Sequence, residues 1–102
     1  MRDFEMIDGY LLGDPVSKAA AVSALLAERR DIPAAAPFYR ALEAVGARAA
    51  DEALIALRLV LAGKAPEDDR VRRLRALVAD ARRAKGAERL AARAAYADEL
   101  SN

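Results

Sequence analysis

From position 53 to 62 the chain reads ALIALRLVLA, apolar on nearly every side of a helical wheel and broken by one charge, Arg58. Asp51 and Glu52 stand in front of this run and Gly63 behind it. Acids suit the positive end of a helix and glycine suits the residue after its last turn, so the pattern predicts a helix of about fourteen residues. A helix apolar all round is buried all round, which makes it either the central helix of the fold or part of an interface with another chain. The segment Pro66 to Lys85 has a one-sided pattern instead. Proline opens it, Glu67, Asp68 and Asp69 fill its first turn, and Val71, Leu74, Val78 and Ala81 recur at helical spacing. Arg82, Arg83 and Lys85 then precede Gly86.

The same punctuation divides the rest of the chain. Asp3 to Leu12 sets Phe4, Ile7 and Leu11 at helical spacing and is closed by Gly13. Asp14-Pro15 reads as an N-cap followed by a residue pre-set for the first helical position, opening a helix to about Arg30. Asp31-Ile32-Pro33 breaks it. Pro37 opens a short helix to Val45 with Phe38, Ala41, Leu42 and Val45 on one face, ended by Gly46. Beyond Gly86, Ala87 to Leu100 is helical in composition, with Leu90, Ala94, Ala97 and Leu100 as its apolar stripe. Gly86 is read as a hairpin turn, because inside one long helix it would cost about 1 kcal/mol relative to alanine. The expectation is a single all-α domain over residues 1–102, a small bundle of five or six short helices joined as antiparallel helical hairpins.

Composition strengthens the helical reading. The 102 residues suit one domain; they include 27 Ala and 13 Leu against 6 Val, 3 Ile and no Thr, an inventory that favours helix over strand. It also restricts chemistry. Without Cys or His there is no disulfide, thiolate or imidazole, so the common zinc, copper, haem and iron–sulfur sites are excluded. Ser17, Ser23 and Ser101 have no activating base at a suitable spacing, and the five glycines are too scattered to form a phosphate loop. Glu67, Asp68 and Asp69 are the one group that could serve carboxylate or oxygen-ligand chemistry, and acids in a first helical turn are explained by the helix dipole alone. The reading is of a non-enzyme with no metal and no cofactor. The first residues lack the basic start and continuous apolar run of a secretory signal, and no stretch approaches the length needed to cross a bilayer, so a cytoplasmic location with no membrane partner is expected.

Two recognition motifs have partial counterparts in the sequence. Ala34, Phe38 and Ala41, followed by Leu42, resemble the second helix of a tetratricopeptide repeat over eight residues. The preceding helix, however, carries Lys18, Ala21, Val22 and Leu25 where that family has Trp, Leu, Gly and Tyr, so the likeness implies helical-hairpin architecture and no membership. A DNA-reading helix-turn-helix centred on Gly63 needs an apolar residue where Asp69 stands.

Charge is the remaining feature. Residues 1 to 69 hold 8 basic and 12 acidic side chains, and residues 70 to 102 hold 9 basic and 4 acidic, within a net charge of +1. Arg72, Arg75, Arg82 and Arg83 share one sector of the Pro66 to Lys85 helix, expected to face outward, with Asp68–Arg72 and Asp69–Arg73 as i,i+4 pairs. Guanidinium groups so placed suit acidic protein surfaces or nucleic-acid phosphates. The expected function is a small non-catalytic protein–protein interaction module: an adaptor, chaperone-like, regulatory or assembly subunit. Its contacts, to a protein partner or a second copy, would run through Leu54, Leu57 and Leu61 and through the four arginines. The alternative is a nucleic-acid phosphate-backbone binder using the arginine stripe of residues 72 to 83; the scarcity of aromatics beside that stripe disfavours it. No small-molecule substrate is expected.

Overall fold

A computed structural model describes residues 4–102. Six α-helices follow one another: α1 (Glu5–Leu11), α2 (Lys18–Ala27), α3 (Ala36–Val45), α4 (Asp51–Leu61), α5 (Asp68–Arg83) and α6 (Gly86–Ser101). Single 3-10 turns precede and follow α3, and no strand occurs among the described residues. The first part of the helix expected from Asp3 lies outside the described residues; its remainder forms α1.

The run from Leu54 to Leu61 is buried at every position, and Leu54, Leu57 and Leu59 are completely enclosed. α4 is therefore the central helix. α1 and α5 pack against it, α2 packs on α1 and α3, and α6 packs along α5. The radius of gyration is 12.9 Å, close to the roughly 13 Å of a folded domain this long, so one chain encloses its own central helix.

α5 buries Val71, Leu74, Val78 and Ala81, the stripe read from its spacing. Its pairing with α6 is a hairpin: Arg73 meets Glu99 and Arg89 donates to the Ala81 carbonyl, so residue numbers rise along one helix as they fall along the other. Gly86 makes the turn at φ +59°, a conformation that L-residues with a Cβ avoid.

Three local expectations are corrected. Asp14 does not cap α2; Ser17 does, its Oγ accepting from the Ala20 N–H at 3.0 Å, and the helix begins at Lys18. In α3 the buried face is Tyr39 and Leu42, while Ala41 and Val45 are exposed, because the Tyr39 hydroxyl turns inward to accept from the Arg30 N–H. In α6 the inner face carries Tyr96 and Leu100, whereas Leu90 is 71% exposed and Ala94 and Ala97 face solvent. Alanines surround α6 on every side, so its orientation follows its polar side chains. Gly9 of α1 is buried at a close approach: a Cβ there would lie 3.0 Å from Val16 Cγ2.

Candidate functional site

Leu54, Leu57 and Leu61, expected on a partner surface, lie in the core with 0%, 0% and 9% exposure. They are spent on folding this chain and cannot meet a partner without opening it. The four arginines divide differently. Arg72, Arg75 and Arg83 project from α5 with side chains 63%, 52% and 72% exposed. Each has one carboxylate partner: Asp69 for Arg72, Glu52 for Arg75 and Asp80 for Arg83. The expected i,i+4 pairs are replaced by i,i+3 contacts and by Arg73 reaching across to Glu99 at 3.2 Å.

Arg82, also at the surface, is committed to contacts within the fold. It follows Val71 by eleven residues and so comes about 20° round the helix from it, beside the buried stripe. There its Nε donates to the Leu11 carbonyl at 2.8 Å, its Nη1 reaches Asp51 at 3.1 Å, and its guanidinium lies 5.3 Å from the Tyr10 ring centre. Asp51 also accepts from the Tyr10 hydroxyl at 2.7 Å and pairs with Lys18 at 3.1 Å. Burial pushes the Asp51 carboxyl up, but the bonds from Tyr10, Lys18 and Arg82 outweigh it and hold the group below the usual aspartate range. The same carboxylate raises Lys18 through its hydrogen bond; Tyr10 is raised by burial first and then by its bond to Asp51. A second aspartate, Asp14, joins the α1–α2 turn to α6. Arg89 and Arg93 reach its Oδ1 at 2.8 and 2.9 Å, and the bond from Arg93 leads the causes that lower its carboxyl.

The third aspartate centre is the least exposed. Arg58, 8% exposed on α4, grips Asp8 of α1 through Nε at 2.8 Å and Nη2 at 3.3 Å. Its guanidinium lies 4.0 Å from the Phe4 ring centre, and the buried Tyr96 hydroxyl of α6 donates to the same Asp8 oxygen. Burial, then the negative charge of Asp8, pushes the Tyr96 hydroxyl well above the usual range, so it stays protonated and remains a donor. Sequence reading treated Arg58 only as an interruption of an apolar run. The signal was present: a charge inside a helix buried all round requires a partner of opposite charge from another element. Glu67, Asp68 and Asp69 stay exposed at the start of α5, and no group of three or more acidic side chains among the described residues is arranged to hold a metal ion.

These centres join elements far apart in sequence. They are built from carboxylates, guanidiniums, the Lys18 ammonium and the Tyr10 and Tyr96 hydroxyls, joined by ion pairs and hydrogen bonds. No helix among the described residues is long and apolar enough to cross a membrane. No protein-family pattern, no curated protein and no solved structure matches the chain.

Proposed function

We propose that the chain is a non-catalytic helical interaction module that docks an acidic protein surface on the outward face of α5, through Arg72, Arg75 and Arg83. One observation carries this reading: three guanidiniums, each more than half exposed, are held on one helix by carboxylates that are themselves more than half exposed. Ion pairs of this kind contribute only about 0 to 1 kcal/mol each, so a partner's carboxylates can replace the internal ones at little cost. The local acids keep the arginines ordered until then, and the basic excess of residues 70 to 102 attracts an acidic partner at long range.

The test is affinity capture with the parent chain and with an Arg72→Ser/Arg75→Ser/Arg83→Ser variant, followed by a titration of each captured protein. The reading requires an acidic partner whose affinity falls by at least about tenfold in the variant and declines with salt. A partner bound equally well by both proteins would refute it. A nucleic acid bound with a steep salt dependence, and lost in the same variant, would assign the face to phosphate backbones instead.

A further inference from the structure

α1, α4 and α6 leave between them an open cleft of about 520 Å³, within the size range of small-molecule sites. Its apolar walls include Phe4, Leu12 and Leu100, and its polar groups are Asp8, Arg58, Arg93, Tyr96 and Ser101. Arg58 spends Nε and Nη2 on Asp8, whose Oδ1 also accepts from the Tyr96 hydroxyl. Its remaining nitrogen, Nη1, makes no hydrogen bond among the described residues and is not sealed from solvent. Arg93 spends both terminal nitrogens on Asp14, and its Nε has no acceptor among the described residues. The cleft thus offers a nine-tenths-buried guanidinium with an unused donor, a second arginine at its wall, and apolar surface around them.

We propose that this cleft binds a small monocarboxylate with a compact apolar body, its carboxylate on Arg58 Nη1 and its body against Phe4, Leu12 and Leu100. Counting the partners of the lining groups, Arg58, Arg89 and Arg93 face Asp8 and Asp14, an excess of one positive charge that a single carboxylate neutralises; a dianion would bring excess negative charge beside Asp8. The buried setting strengthens that contact, because the guanidinium is pre-positioned by Asp8 and Phe4 and little side-chain freedom is lost when the ligand arrives. This site goes beyond the protein-docking reading of α5 and stands whether or not that reading does.

The experiment titrates 3-phenylpropionate and 4-methylpentanoate, each beside its uncharged primary amide, into the folded protein and follows amide and arginine side-chain shifts by NMR. Binding should saturate in the millimolar range or below, with shifts at Ala62, Ala97, Leu100 and the Arg58 Nε–H, and each amide should bind at least about tenfold more weakly. Ala97→Leu fills the cleft from an exposed position and should weaken binding about tenfold or more while the circular dichroism and melting temperature hold. Arg93→Gln, which leaves Arg89 on Asp14, should weaken the carboxylates and not the amides. Amides binding as well as acids, an unchanged affinity in Ala97→Leu, or no saturable shift with either acid would overturn the assignment.

Discussion

Removing Asp8 tests the energetics of the core more sharply than any other single change. Asp8→Ala leaves the Arg58 guanidinium 8% exposed without its counter-ion and takes the acceptor from the Tyr96 hydroxyl. Breaking a buried pair on one side costs about 3 to 5 kcal/mol, chiefly the desolvation of the charge left behind. The Asp8 side chain is 27% exposed, so water reaches its site and the lower end, about 3 kcal/mol, is expected. For a domain of this size that lowers the melting temperature by roughly 12 to 24 °C. Arg58→Met should also destabilise, yet Asp8→Ala/Arg58→Met removes both charges and fills the site with an apolar side chain. The double variant should therefore recover much of the loss, with a coupling of about 1 to 3 kcal/mol between the two changes. Urea unfolding followed by circular dichroism measures all four proteins. An Asp8→Ala variant within about 0.5 kcal/mol of the parent, or a double variant equal to the sum of the singles, would refute the reasoning.

Three further outcomes follow from the same structure. Leu57→Ala, at a fully enclosed position, should cost about 2 to 5 kcal/mol by urea unfolding, whereas Leu90→Ala, at 71% exposure, should stay within about 0.5 kcal/mol. Gly86→Ala should cost about 1 to 2 kcal/mol, because φ +59° strains any side chain even though open space surrounds it; an unchanged stability would mean that the hairpin adjusts its backbone. Asp14 and Asp51 have folded-state values below their unfolded ones, so their contribution is fully present above about pH 5 and is lost as pH falls through the ordinary aspartate value of about 3.9 and on to the depressed ones. Asp14→Asn should accordingly flatten the acid limb of a stability profile between about pH 5 and 2, and a profile identical to the parent's would sink the pairing.

Much of the architecture was legible along the chain. The helix order, the break at Gly86, the buried stripe of α5 and the burial of the ALIALRLVLA run all came from local pattern, because proline, glycine and helical periodicity act over a few residues. The candidate site was less legible. Three of the four arginines project from α5 as its wheel implied, but Arg82 leans across the surface to Leu11 and Asp51, and Leu54, Leu57 and Leu61 were absorbed by the core.

The sequence by itself determined which segments are helical and which helix must be buried, since an all-apolar helix has no side that water tolerates; that this chain encloses it, with Leu54, Leu57 and Leu61 in its own core, came from the tertiary structure. Only the tertiary structure decided which carboxylate meets which guanidinium and which side of α6 faces inward. Asp8, Asp14 and Asp51 look alike in sequence, and their partners lie 31 to 88 residues away. An alanine-rich helix has several sides of equal apolarity, so the choice among them fell to Tyr96, Arg89 and Arg93, whose polar ends find partners in only one orientation.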